Sequence, residues 1–260
     1  MSDCISRKAP ANSAEGVSVA RGFARQMDSI CLGGFVPFST SDYPSQLSAV
    51  LFCQGCPWRC RYCHNPHLQQ KADSGAIDFG EVLKFLDSRQ GLLDAVVFSG
   101  GEPTYQSGLR LAIEQVRSLS FKIGLHTAGT DLSRFKEVLP LLDWVGLDIK
   151  TGRLNYPQLT GVAGSGSNPY AALELLVDSD LDYEVRTTFH PLLMGRSQLL
   201  EICNDLSGMG VRNYSLQYFR KTGCQDQELL EMYEELDQDL LEEIGSRFKS
   251  FIYRSNSCRD

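Results

Sequence analysis

The chain has 260 residues, 42% hydrophobic and 22% charged, with a net charge of −7 and a pI near 5.2. That usage is ordinary for a globular domain, excludes a disordered chain, and argues against a nucleic-acid surface, whose footprint is clustered Lys and Arg. No window approaches 18 consecutive apolar residues and the first 30 residues hold no apolar h-region, so neither a membrane span nor a signal peptide is expected. Nine cysteines lack the even spacing of a small secreted scaffold, which places the chain in the cytoplasm.

Residues 1–30 mix Ser, Ala, Gly and charges without period and read as a mobile N-terminal extension, in which Cys4 is incidental. From Cys31 a turn-rich segment leads to a first strand at about 47–53. That strand passes into Cys56, Cys60 and Cys63, a C-x3-C-x2-C turn. Three thiolates at this spacing can hold an iron–sulfur cluster, and three ligands on a four-iron cluster leave one iron open to substrate or cofactor. Cys53 extends the run toward a four-cysteine zinc or closed-cluster site, which is the alternative. Zinc pairs usually stand about 12–20 residues apart, however, and here the gap is three. At a strand end, Cys53 reads as a small buried hydrophobe.

Beyond the cysteines, helix 78–90 precedes strand 94–98, which ends in Ser99, Gly100, Gly101, Glu102 and Pro103. The alternation continues with helix 107–119 and strand 121–126, helix 131–142 and strand 144–149, helix 168–178 and strand 183–189, and helix 196–207 and strand 211–218. Six strands alternating with helices predict an α/β fold with right-handed crossovers and a parallel sheet. The first strand-to-helix turn holds cysteines instead of a dinucleotide fingerprint, and the special residues gather at strand ends, so the sheet is expected to curve into a partial TIM-like (β/α)6 barrel over 31–254. A single acidic helix is expected over 225–247, with a solvated acidic face, then a final strand within 248–254 and a tail over 255–260 that contains Cys258. Cys203 falls on a helix and Cys224 in the loop after the sixth strand, with no nearby cysteine to pair with it.

The strand ends supply the other candidates. Gly100 and Gly101 permit close backbone approach to a ligand, and Glu102 could accept hydrogen bonds from an ammonium group. Asp148 and Lys150 close the strand at 144–149. Arg186, Thr188 and His190 alternate in register and share one face, expected to point into the barrel, where a buried Arg needs an anionic partner. His126 could hydrogen-bond a cofactor or substrate, or sit satisfied at its strand end. His64 and His67 are close enough in sequence to reach the cluster region, in packing or hydrogen-bonding roles.

Cys56, Cys60 and Cys63, Tyr62 before the last of them, and Ser99 to Pro103 after the second strand together resemble the radical S-adenosylmethionine enzymes. The resemblance implies a [4Fe–4S] cluster on the three cysteines, S-adenosyl-L-methionine on the fourth iron through its amino and carboxylate groups, and Tyr62 beside the adenine. Reductive cleavage then yields methionine and a 5′-deoxyadenosyl radical. Within that family, Phe38 to Pro44, Gln54 to Cys56, Tyr62 to Pro66, and Asp148 to Lys150 are most similar to activating enzymes of glycyl-radical enzymes, over about residues 33–190. That likeness implies a glycyl-radical enzyme as partner, most similarly an anaerobic ribonucleotide reductase, and a flavodoxin or ferredoxin as electron donor. Asp148 and Lys150 would lie near the methionine carboxylate, Asp148 helping to hold a monovalent cation. This chain departs from the family where His126 replaces an acidic residue, which removes one oxygen ligand from that cation. Gly100, Gly101, Glu102, His126, Arg186 and His190 complete the expected cofactor site, with the cofactor carboxylate as a partner for Arg186. A small-molecule enzyme of the 7-carboxy-7-deazaguanine synthase type is one alternative reading, and a structural zinc or electron-transfer module is another.

Overall fold

Alternating apolar residues in short β-branched runs build one sheet. In the computed structural model, which describes residues 30–72 and 74–255, eight strands are hydrogen-bonded in the order of the chain. They are β1 (Leu32–Ser39), β2 (Ser48–Cys53), β3 (Ala95–Gly100), β4 (Lys122–Thr127), β5 (Trp144–Asp148), β6 (Asp182–Phe189), β7 (Asn213–Tyr218) and β8 (Ser250–Arg254). β1 runs antiparallel to β2, and all later pairs are parallel. Helices return the chain between the parallel strands: α1 (Phe79–Asp87), α2 (Leu109–Ser118), α3 (Leu132–Val138), α4 (Tyr156–Thr160), α5 (Ser167–Val177), α6 (Arg196–Gly208), α7 (Gln227–Glu231) and α8 (Gln238–Gly245). β8 and β1 are not paired with each other, so the barrel stays open along one flank. The expected extension over 1–30, apart from Ile30, and the tail beyond Ser255 lie outside the described residues, as do Cys4 and Cys258.

The two faces of the sheet differ as period-2 alternation requires. One row of paired residues, Leu51, Phe98, Leu125, Val145 and Tyr183, is buried in the main core against the helices. α2 shows why its helix docks there: Leu109, Ala112, Ile113 and Val116 recur at helical spacing and are all buried. Each fully buried aliphatic or aromatic side chain stabilises by about 1.5–3 kcal/mol relative to exposure, so this layer carries most of the fold. The adjacent row, Val50, Val97, Gly124 and Trp144, faces the barrel interior, where Tyr43 from the loop after β1 packs on Trp144 at 5.4 Å and closes the floor. Above that apolar floor the inward residues become polar: Ser99, His126, Glu184, Arg186 and Ser215.

The structure corrects two expectations. The segment expected as a turn-rich lead-in contains β1, paired through Phe35 with Leu51 and Val36 with Val50. Its glycines and Pro37 hide the pattern, but Pro37 falls between Val36 and Ser39, where the register breaks and the missing N–H leaves no ladder bond unmade. The single helix expected over 225–247 is two short ones, α7 and α8. Asp226 and Asp237 start them separately, accepting from the backbone of Leu229 at 3.4 Å and Leu240 at 2.7 Å. Between them Tyr218 Oη accepts from the Glu234 backbone at 3.0 Å and its ring meets Tyr233 at 4.9 Å, holding the intervening chain extended. Nine acidic residues without a basic one over Asp226 to Glu243 also make a continuous helix self-repelling. The parallel part of the sheet has seven strands, because β8 joins the six expected ones.

Candidate functional site

The three cysteines sit on the loop that leaves β2 at the carboxyl end of the parallel strands, where loops of several strands converge. Backbone bonds close this loop on itself, from Gly55 N to Leu68 O at 2.7 Å and from Cys56 N to Gln69 O at 3.0 Å, with Gln54 Nε2 donating to Gln70 O at 2.7 Å. α4 holds its middle: Arg59 N donates to Thr160 O at 2.9 Å, and Trp58 packs edge-on to the buried Tyr156 at 5.6 Å. The loop after β7 covers its far side through Arg61, which reaches Asp226 at 2.6 Å and Glu228 at 2.5 Å. Cys224 belongs to this cover, its Sγ donating to the Arg61 carbonyl at 3.6 Å, and His64 stacks on Phe219. His67 is exposed on the loop surface and Cys203 is buried on α6.

Cys56, Cys60 and Cys63 are half-buried, unbridged thiols. Burial raises the Cys56 thiol to about 12, with the Glu102 charge adding to it, and burial also raises Cys60 while Lys150 opposes the shift. Metal ligation at such thiols must displace protons. Cys53 is fully buried and its side chain packs in the helix-side core, so it belongs to the opposite face of β2. A four-cysteine site would require the end of β2 to turn over. Among the described residues no three His, Cys, Asp or Glu side chains converge on a single metal ion.

Tyr62, Asp148 and Lys150 are brought to this loop as expected. Tyr62 is 5% exposed and its hydroxyl, buried, has no hydrogen-bond partner. Lys150 Nζ lies 5.6 Å from the Tyr62 ring centroid and 3.3 Å from Asp148 Oδ2. Burial works against the Lys150 ammonium, while the Asp148 carboxylate beside it favours the charged form. Its backbone N–H donates to Tyr156 Oη at 2.9 Å. Tyr156 therefore joins the strand end to the cysteine loop, a role the sequence did not reveal because its helix, α4, is only five residues long.

The glycine motif is placed beside the loop and packs against it. Gly100 has φ +113°, and a Cβ there would lie 2.3 Å from Cys53 N, while one on Gly101 would lie 2.4 Å from Gly55 O. On the Cβ side the close approach is to the cysteine loop's own backbone. Glu102 is held by the turns after β3 and β4. Its Oε1 accepts from Thr127 Oγ1 at 2.5 Å, Thr104 Oγ1 at 2.6 Å and Thr104 N at 3.0 Å, and its Oε2 from Ala128 N at 2.9 Å. Burial raises this carboxyl, and the four donors oppose the shift.

The remaining three candidates lie apart from the loop. His126 Nε2 donates to Asp42 O at 2.8 Å, its ring meets Trp144 edge-on, and burial with the Arg186 charge keeps it neutral. Arg186 folds back from the strand end, its Nε 2.7 Å from Glu184 Oε1 and its guanidinium 5.1 Å from the Trp144 ring, so its anionic partner is Glu184. His190 is fully buried with both ring nitrogens used, Nε2 donating to Leu229 O at 3.0 Å and Nδ1 accepting from Leu192 N at 3.2 Å, and it fastens α7 to the barrel. β6 ends at Phe189, so the strand alternation that put His190 with Arg186 no longer applies there.

Burial alone would raise Glu184, but the Arg254 hydrogen bonds and the Arg186 and Arg254 charges outweigh it and hold the carboxyl below its ordinary value. A depressed carboxyl contributes stability that is present above its unfolded pKa of about 4.3 and is lost as pH falls through the lower folded value. Glu184→Gln should therefore cost about 3 kcal/mol near pH 7, and the gap from the parent should close as pH falls below about 4. Urea titrations at both pH values measure it.

The sequence pattern of the radical SAM superfamily matches residues 50–205, more than half of the chain and the whole span from the cysteine loop to α6. The chain belongs to the radical SAM superfamily. It is 28% identical over 228 residues to a Methanocaldococcus jannaschii protein provisionally named a glycyl-radical enzyme activating enzyme, covering 85% of this chain and 92% of that one. It is 30% identical over 179 residues to the pyruvate formate-lyase-activating enzyme of Streptococcus mutans, covering 62% of this chain and 65% of that one. In fold it is similar to Streptococcus suis SuiB bound to S-adenosylmethionine, with a TM-score of 0.60 and 15% identity over 79% of this chain, which spans about half of SuiB. This radical SAM enzyme uses a [4Fe–4S] cluster and S-adenosyl-L-methionine, and the structural zinc alternative falls with that membership. The residues present fit both groups: three thiols on one loop, a lysine paired with Asp148 beside them, and an orphaned buried phenol in Tyr62. No helix among the described residues is long and apolar enough to cross a membrane.

Proposed function

We propose that this protein is an activating enzyme that installs a glycyl radical on a partner enzyme. The observation that carries the reading is the similarity to the M. jannaschii protein, which runs through 92% of that protein's length. In this reading Cys56, Cys60 and Cys63 hold three irons, and Lys150 neutralises the cofactor carboxylate beside Asp148. Tyr62 lies by the adenine, and the glycine motif and Glu102 fix the loop's position. The cluster and S-adenosylmethionine together supply an electron and a hydrogen-abstracting radical. The chain's own part is to orient the cofactor and to exclude water. The flank between β1 and β8 suits a protein substrate, since its two edge strands are not paired with each other and the inward-facing Val36 and Ile252 on them are 37% and 44% exposed. An anaerobic ribonucleotide reductase is the partner proposed, with a flavodoxin or ferredoxin as electron donor.

The reading is tested by supplying the reconstituted enzyme with a ribonucleotide reductase labelled with Cα-deuterated glycine. Deuterium should appear in the 5′-deoxyadenosine released. Product free of deuterium, despite cofactor cleavage, would overturn the assignment.

A further inference from the structure

In the inward polar row of the barrel two arginines are ion-paired with one carboxylate, Glu184, while Asp182 on the same face of β6 pairs with neither. Glu184, 8% exposed, accepts from three donors on two arginines: Arg186 Nε at 2.7 Å, Arg254 Nη1 at 2.9 Å and Arg254 Nη2 at 2.8 Å. Two guanidiniums thus share one carboxylate. The other groups facing them do not make up the difference. His126 on β4 is neutral and uses its Nε2 proton on Asp42 O, so it cannot accept from Arg186 Nη2, which lies 3.4 Å away. On β5 Trp144 offers only a ring face and Gly146 no side chain. Ser215 on β7 accepts from Arg254 at 2.5 Å and is uncharged. The Asp42 carboxylate turns to Ser39 Oγ at 2.5 Å, and no ion pair joins it to either arginine. Asp148 is paired with Lys150.

Both terminal nitrogens of Arg186 therefore lack a carboxylate or carbonyl acceptor among the described residues, although its side chain is only 13% exposed. Gly146 shapes the space for them, since a Cβ there would lie 2.7 Å from the Arg186 guanidinium carbon. Arg254 is 41% exposed and stands on β8, the edge of the open flank. Donors left over after Glu184 favour an anion, and a planar guanidinium pair selects a carboxylate.

We propose that Arg186 and Arg254 form a carboxylate subsite inside the barrel that recognises an acidic side chain on the substrate segment. The inference rests on the activating-enzyme reading and adds the chemistry of the partner's segment to it: the entering segment carries an Asp or Glu near the residue that loses hydrogen. Glu184 keeps the two guanidiniums in place until that carboxylate arrives.

The test is binding, measured by anaerobic calorimetry on the reconstituted enzyme with S-adenosylmethionine. The probes are two blocked peptides, acetyl-Gly-Glu-Gly-amide and acetyl-Gly-Gln-Gly-amide. The Glu peptide should bind about tenfold more tightly than the Gln peptide, with a preference that shrinks in high salt. Arg254→Gln, chosen because it is half-exposed, should erase the preference, Arg254→Lys should keep part of it, and Glu184→Gln should strengthen it by freeing donors. A merely structural cluster predicts the opposite sign for Glu184→Gln. Equal affinity for the two peptides, binding of neither, or a preference that survives in Arg254→Gln would overturn the subsite. Because no radical chemistry is read, such a failure would leave the glycyl-radical assignment standing.

Discussion

Replacing any one of Cys56, Cys60 or Cys63 by alanine should leave the protein folded but without its cluster, and S-adenosylmethionine cleavage should fall to the level of the no-enzyme control. Each side chain is half-buried on a loop whose shape is kept by backbone bonds, by Trp58 on Tyr156 and by Arg61 on Asp226, none of which uses a thiol. Thermal midpoints should therefore move little while iron falls from about four per chain to a small residue. Cys53→Ala is the matched control. That residue lies in the helix-side core, so its loss should cost about 1 kcal/mol of stability and leave the iron content unchanged. Iron analysis after anaerobic reconstitution, beside the thermal melts, reads both halves. Loss of iron in Cys53→Ala with retention in Cys63→Ala would mean that a different set of thiols holds the metal.

Glu102→Gln should damage the fold before it damages the chemistry. The carboxylate is 2% exposed and satisfies four donors, from Thr104, Thr127 and Ala128. A glutamine amide turns a donor toward at least one of them, leaving a buried clash in place of a charge-assisted bond. A loss of about 3 kcal/mol is expected, which for a domain of this size is about 6–12 °C in the thermal midpoint. Because these bonds join the turn after β3 to the turn after β4, the variant should also bind S-adenosylmethionine more weakly, through a displaced loop. If Glu102 instead held the cofactor directly, the variant would keep its midpoint and lose only affinity. Melting and equilibrium dialysis on one preparation separate the two.

These two cases also mark what the sequence made legible. The cysteine spacing marked out the loop after β2, and the strand-end rule brought Asp148 and Lys150 to it, because a parallel barrel forces strand ends onto one face. The chemistry of Gly100, Gly101 and Glu102 was not legible. Their partners are backbone atoms of Cys53 and Gly55 and hydroxyls 2 and 25 residues away, and local pattern does not announce such contacts. The neighbours of His190 and Arg186 were hidden for a different reason. Period-2 alternation places a Cα on a face, but β6 ends at Phe189 before His190, and a long Arg side chain can fold back along the barrel to Glu184. Glu184 itself alternates with Arg186 and could have been found by the same rule. Arg254 could not, since only the sheet order puts β8 within reach of β6. The acidic run over Asp226 to Glu243 looked helical by its apolar spacing, and Tyr218 decides otherwise from the end of β7.

The most direct test of the account is electron paramagnetic resonance on the partner after anaerobic turnover with the reduced enzyme, S-adenosylmethionine and an anaerobic ribonucleotide reductase. The account predicts a doublet from a glycyl radical, borne by the partner polypeptide, that collapses toward a singlet when the partner is labelled with Cα-deuterated glycine and is absent with Cys60→Ala. Cofactor cleavage that proceeds while the partner stays free of any organic radical would contradict it.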